Sequence, residues 1–145
     1  MYNVAPYIER CVKSLEHQDI PIDNFEIICI NDGSPDNSSE IVKSLQAQYS
    51  NIHLIDQENQ GVSRARNNGI ECATGKYILF IDPDDYVDTN SFARILRVAA
   101  VSYTHLTLPT TYSVYISFVA VSLKKKNKKY ARYSYLFSHY TLHYF

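Results

Sequence analysis

A short apolar run, Tyr77-Ile78-Leu79-Phe80-Ile81, breaks off at Asp82-Pro83-Asp84-Asp85, and this junction constrains the fold more than any other stretch of the 145-residue chain. An unbroken apolar run of this length suits a strand buried on both faces of a parallel sheet. Pro83 has no backbone N–H and cannot continue a central strand, so the strand stops at the acids. In open α/β sheets, ligands bind just beyond the carboxyl ends of the strands. Carboxylates crowded there repel one another unless a cation is present, and a hard divalent ion shared with substrate phosphates answers that need. The plainer alternative is a solvated acidic turn that caps the next helix. Residues 77–85 alone do not choose between the two.

Composition divides the chain before it is read further. Residues 1–100 hold all 4 Gly, all 15 Asp and Glu, and 8 of the 14 Lys and Arg. Residues 101–145 have no acid and no Gly, and carry the remaining basic residues. The whole-chain charge of −1 averages two unlike pieces and identifies no partner. Within the second piece, Val101-Ser102-Tyr103-Thr104-His105-Leu106-Thr107-Leu108-Pro109-Thr110 resembles one reading frame of a transposase-type sequencing adapter. Residues 114–123 resemble the translated outer primer of such a library, and Lys124-Lys125-Lys126-Asn127-Lys128-Lys129 is what an A-rich run encodes. The competing readings are a membrane anchor with a basic flank and a nucleic-acid-binding tail. The apolar stretch is shorter than the roughly 20 residues that span a bilayer. The expectation is a non-native tail over 101–145 that packs no core, and a fold carried by 1–100.

Residues 1–100 alternate between helix and strand patterns. Helices are expected over 5–18, 39–49, 62–72 and 89–100, and strands over 25–30, 52–55 and 77–81. Such alternation implies parallel strands with right-handed crossovers, hence an α/β sheet with flanking helices. Cys11, Cys29 and Cys72 are odd in number and widely spaced, which fits neither a zinc site nor a disulfide framework and favours a reducing compartment. His17 and His53 are isolated, and surface positions explain them better than metal ligation. No signal peptide or transmembrane pattern is present in 1–100.

The polar residues then fall on one edge. Asp32 ends one strand and Asp82 another, and Arg64, Arg66 and Asn67 open the helix before the latter. Together they offer carboxylates for a metal, a carboxylate for ribose or base, and guanidinium groups for phosphate or base. That set suits a nucleoside diphosphate with a divalent ion. Singly, each has an ordinary explanation: Asp32-Gly33-Ser34 as a turn, Arg64 as a solvated helix charge. Their joint placement is the argument for a site.

Four blocks in order carry a resemblance: Tyr2-Asn3-Val4-Ala5-Pro6-Tyr7-Ile8, Ile28-Cys29-Ile30-Asn31-Asp32-Gly33-Ser34-Pro35-Asp36, Asn59-Gln60-Gly61-Val62-Ser63-Arg64-Ala65-Arg66-Asn67-Asn68-Gly69, and residues 73–85. With them the chain resembles the family 2 glycosyltransferases of GT-A fold, a Rossmann-like sheet, across essentially all of 2–100. The resemblance implies that Asp32 contacts the nucleoside, that Arg66 and Asn67 line the nucleotide pocket, and that Asp82-Pro83-Asp84 is the family's DxD motif. Asp82 then lies near ribose and metal, and Asp84 is the main contact of Mg2+ or Mn2+. The implied chemistry is inverting sugar transfer from a nucleotide-diphosphate sugar, UDP-type by preference, to a saccharide or lipid-linked acceptor in surface polysaccharide synthesis. The implied place is the cytoplasm, with the inner face of the cell membrane as an option for a full-length parent, and nucleic acid is not a partner.

Two departures qualify that expectation. The family's first strand, central in an order of 3-2-1-4, has no counterpart before Met1-Tyr2-Asn3. The acceptor half, which carries the general base, is replaced by 101–145. The expectation is therefore an incomplete sheet in an inactive fragment, with the catalytic base unknown. The alternatives are a sugar-phosphate nucleotidyltransferase, a phospho-acceptor receiver domain with Asp56 as its acceptor, and a non-catalytic nucleotide-binding module.

Overall fold

The computed structural model describes residues 1–101, 119–123 and 134–136. Four helices, α1 (Ala5–Glu16), α2 (Ser38–Gln46), α3 (Val62–Cys72) and α4 (Phe92–Val101), alternate with β1 (Phe25–Asp32), β2 (Ile52–Gln57) and β3 (Tyr77–Ile81). Two further strands follow, β4 (Val119–Leu123) and β5 (Ser134–Leu136). All five strands form one sheet in the order β2-β1-β4-β3-β5.

Strand geometry sorts the apolar side chains into two cores, because successive residues point to opposite faces. Phe25, Ile27 and Cys29 of β1 and Tyr77, Leu79 and Ile81 of β3 join Ile8, Cys11, Val12 and Leu15 of α1, Val42 and Leu45 of α2, and Phe92 of α4. The alternate residues Ile28, Ile30, Ile78 and Phe80 meet Ala65 and Ala73 on the face that α3 covers. Every residue of β1 and β3 is buried, including Glu26, Asn31 and Asp32 of β1. The expected α/β layering, with helices on both faces, is what the protein adopts.

The strands that carry the acids run as expected, β1 parallel to β2 with Ile27 opposite Ile52 and Asp32 opposite Gln57. The slot between β1 and β3 is not empty. β4 fills it and runs antiparallel to both, with Val119 opposite Cys29 on one side and Ile81 on the other. The three strands of 1–100 are mutually parallel, as expected, and the antiparallel strand of the sheet is β4, from 101–145. The reason lies in the backbone. Two buried strand edges cannot leave their N–H and C=O groups unpaired, and an extended apolar segment of either direction satisfies them. Val119-Ala120-Val121-Ser122-Leu123 is such a segment. Apart from Val101, β4 and β5, which pairs parallel with β3, the residues of 101–145 lie outside those described. Above β4, Met1 closes the slot: its amino group donates to Ile30 O, and its carbonyl accepts from Asp32 N at 3.1 Å.

Element ends differ from the sequence reading by a few residues, most informatively at α4. That helix starts at Phe92, three residues later than its apolar pattern suggests, because Asn90 takes a left-handed conformation (φ 65°). Its first amides find acceptors far away in sequence. Gln18 Oε1 accepts from Ser91 N and Phe92 N at 2.9 and 3.2 Å, and Asp19 Oδ1 accepts from Ala93 N at 2.9 Å. These side chains do the work of an N-cap and tie α4 to the end of α1.

Candidate active site

The site is built where β1 and β3 end. Asp32 is the last residue of β1 and is only 6 % exposed. Its carboxylate is heavily used. Oδ1 accepts from Gln57 Nε2 at 2.7 Å and from Gln60 N at 2.9 Å, and Oδ2 accepts from Gly61 N at 3.0 Å. Asp32 thereby fastens the loop that leads into α3. Gly33 makes that closeness feasible, and Gly61 the backbone turn into α3. Both hold positive φ, 67° and 83°, and a Cβ on Gly33 would sit 2.9 Å from Asn59 N.

A second carboxylate organises the same corner. Asp36 Oδ1 accepts from Ser34 Oγ at 2.6 Å, from Ser38 N at 3.2 Å and from Ser38 Oγ, while Oδ2 accepts from Ala5 N at 2.8 Å. Partial burial pushes the Asp36 carboxyl up, but the bonds from Ser34, Ser38 and the Ala5 amide outweigh it and hold the pKa at about 2. Asn31 Nδ2 donates to Asp56 Oδ1 at 2.8 Å, and Asn31 Oδ1 accepts from Ser34 N at 3.1 Å.

The β3 end is built differently. Asp82 follows the strand directly, is half-buried, and its carbonyl accepts from Asp85 N at 2.9 Å to close a turn around buried Pro83. Cys11 Sγ lies 3.6 Å from the same carbonyl, which seats the turn on α1. Burial pushes the Cys11 thiol well above its ordinary range, so it is a packing thiol here. Asp84 and Asp85 are exposed. Arg66 reaches this end from α3, with its guanidinium 5.8 Å from the centre of the Phe80 ring. Burial lowers the Arg66 pKa, and the charge of Asp82 opposes that shift. Asn67 is one position round the helix and exposed, as is Arg64.

The structure thus brings Asp82 and Arg66 into one electrostatic group and gives Asp32 a separate network across the β4 slot. By ordinary strand spacing the two strand ends stand ~10 Å apart, a span on the scale of a nucleotide rather than of a single ion. Among the described residues no three His, Cys, Asp or Glu side chains gather as a ready-made metal cluster. Asp82 and Asp84 offer two hard oxygen donors at spacing i, i+2, which fits an ion that takes its other ligands from diphosphate and water. A groove of about 670 Å³ runs between α1 and residues 86–89, where Arg10 lies 4.6 Å from the Tyr86 ring centre. None of the five candidate residues lines it.

Sequence reasoning missed Gln57, Gln60, Gly61 and Asn68 as parts of this site. Asn68 Nδ2 donates to Gln57 Oε1 at 2.7 Å, behind the bond from Gln57 to Asp32. In the structure β2 continues to Gln57, past the Asp56 at which its apolar pattern stops, and so reaches the level of Asp32.

Acid-bearing strands that run parallel, helices on both faces of the sheet and an arginine-bearing helix beside the strand ends define a domain of GT-A fold. The sequence model of "Glycosyl transferase family 2" matches residues 1–144, and the chain belongs to that family. It is 46 % identical over 99 residues to the uncharacterized glycosyltransferase EpsJ of Bacillus subtilis, covering 68 % of this chain and 28 % of EpsJ. It is 41 % identical over 98 residues to the minor teichoic acid biosynthesis protein GgaB of the same organism, covering 67 % of this chain and 11 % of GgaB. The crystal structure of S. aureus TarS 1-349 in complex with UDP superposes with a TM-score of 0.63 at 28 % identity, covering 69 % of this chain and 30 % of that one. The chain therefore spans well under a third of the length of the curated relatives it matches. Family membership sets aside the nucleotidyltransferase and receiver-domain readings. Asp56, the residue the latter needed, accepts from Asn31 and lies 3.9 Å from Lys43. No helix among the described residues is long and apolar enough to cross a membrane.

Proposed function

We propose that this chain is the donor-binding part of an inverting, metal-dependent glycosyltransferase that takes its sugar from a UDP-type nucleotide and acts in surface polysaccharide synthesis. The observation that carries the reading is the arrangement of Asp32, Arg66 and Asp82 around the ends of β1 and β3, one edge of one sheet. Asp32 supplies an acceptor for an N–H or O–H of the nucleoside. Arg66 and Asn67 line the diphosphate path, and the Arg66 charge is shared between phosphate and Asp82. Asp82 would serve the ribose and the metal, and Asp84 would be the main metal contact. Bound Mg2+ or Mn2+ supplies positive charge to the leaving diphosphate.

TarS, which binds UDP, supports the choice of nucleotide, and GgaB, named for teichoic acid biosynthesis, supports a saccharide or lipid-linked acceptor. The general base that deprotonates the acceptor hydroxyl is assigned to sequence outside 1–100. Residues 1–100 are the nucleotide-sugar part, and 101–145 is sequence foreign to it that lends β4 to the open slot. The full-length enzyme works in the cytoplasm, at the inner face of the membrane where lipid-linked acceptors reside. Calorimetric titration of the 145-residue chain with UDP, with and without Mn2+, tests the reading. Binding that needs Mn2+ and is lost in Asp84→Ala supports it; absence of UDP binding in either condition overturns it.

A further inference from the structure

The part-buried hydrogen-bond chain Asn68–Gln57–Asp32 links three elements and has a fixed direction. A carboxylate only accepts, so the Gln57 amide must turn its Nε2 toward Asp32 Oδ1, at 2.7 Å. That leaves Gln57 Oε1 to accept, and Asn68 Nδ2 donates to it at 2.7 Å. A flipped Gln57 amide would set oxygen against oxygen at one end and nitrogen against nitrogen at the other. The backbone reinforces the arrangement, because Gln57 lies opposite Asp32 in the β1–β2 ladder.

An ionised carboxylate has about four lone-pair sites. Among the described residues, two bonds fill Oδ1 and one falls on Oδ2, from Gly61 N. One acceptor site on Oδ2 is left. Its direction is set by the rotation of the carboxyl group, a broad two-fold torsion with little preference of its own. Gln57 and the two loop amides fix that rotation. Asn68 lies two residues after Arg66 on α3, so the same chain fixes the helix that carries the phosphate-side cation relative to the nucleoside-side carboxylate.

We propose that Gln57 is a positioning residue: held by Asn68, it locks the Asp32 carboxylate so that one Oδ2 lone pair is presented to a nucleoside N–H or O–H donor. This rests on the nucleotide-sugar reading given above. Two measurements on the full 145-residue chain test it. The first is UDP affinity in the presence of Mn2+ for the parent, Gln57→Leu, Asp32→Ala and the double variant. Gln57→Leu is expected to weaken UDP binding about tenfold, the scale of one bond to a charged group. In the Asp32→Ala background the same substitution is expected to change affinity less than twofold, because Gln57 acts only through Asp32. Asn68→Leu, which leaves Gln57 in place but unheld, is expected to weaken binding about threefold, and it carries the test if Gln57→Leu does not fold. The second measurement needs no nucleotide: amide exchange at Gln60 and Gly61, expected to quicken in Gln57→Leu and in Asn68→Leu. Equal UDP affinity in parent and Gln57→Leu, or an equal loss with and without Asp32, overturns the proposal. If the parent itself binds no UDP, the nucleotide reading fails, and unchanged exchange at Gln60 and Gly61 then overturns the positioning role separately.

Discussion

Asp32 ends one buried strand and Asp84 follows another of the same sheet, yet their surroundings are opposite. Asp32 is nearly sealed and accepts three hydrogen bonds from Gln57, Gln60 and Gly61. Asp84 is exposed, inside the turn that the Asp85 N to Asp82 O bond closes. A carboxylate wrapped in donors has its charge satisfied by the protein and can add only a directed hydrogen bond. A carboxylate in solvent keeps its coordination sites for an incoming cation. On the proposed reading, these two identical side chains divide recognition from charge compensation by how many protein donors surround them.

The contrast can be broken most severely at Asp32. Asp32→Ala leaves three donors without their acceptor, and a loss of about 3 kcal/mol in unfolding free energy is expected by urea titration. Asp84→Ala should lie within ~0.5 kcal/mol of the parent in the same experiment. Equal losses at the two positions would erase the distinction. Gly33→Ala comes next. It forces a side chain into a left-handed backbone and against Asn59 N, and about 2 kcal/mol of destabilisation is expected from a shift in thermal midpoint.

Asp36 sharpens the same end through pH. Its carboxyl is held at about 2 in the folded protein against an ordinary value of 3.8. A depressed folded pKa means that its contribution is fully present above about pH 4 and is lost as pH falls through about 2. After screening by water the term is roughly 1 kcal/mol, and Asp36→Asn should flatten the acid limb of stability by that amount. The smallest structural effect and the largest ligand effect coincide at Asp84. There the alanine variant should keep the parent's melting curve while losing the Mn2+ dependence of UDP binding in calorimetry.

Much of this contrast could be read in advance. Asp32, Asp82 and Asp84 mark themselves by standing where unbroken apolar runs stop, and the two-fold alternation of β1 and β3 places the helices on either face. Arg66 was legible because α3 opens beside those ends. Gln57 and Asn68 were not, since neutral amides carry no periodic signal and their value depends on a partner in another element. The caps of α4 were hidden for the same reason: Gln18 and Asp19 belong by sequence to the end of α1. β4 was read as lying outside the fold because its composition matches nothing in 1–100, whereas the sheet selects only for an extended backbone with apolar side chains.

The seat of β4 also has a kinetic meaning. β1 and β2 join through one short helix, so their pairing closes early, but Cys29 and Ile81 must wait for Val119 to arrive across a long stretch of chain. Non-local pairings of this kind slow folding. During that interval β1 and β3 each present an unclosed apolar edge, and the arriving strand need not come from the same molecule. Refolding of this chain should therefore become less efficient as its concentration rises, with β4 of one copy able to complete the sheet of another.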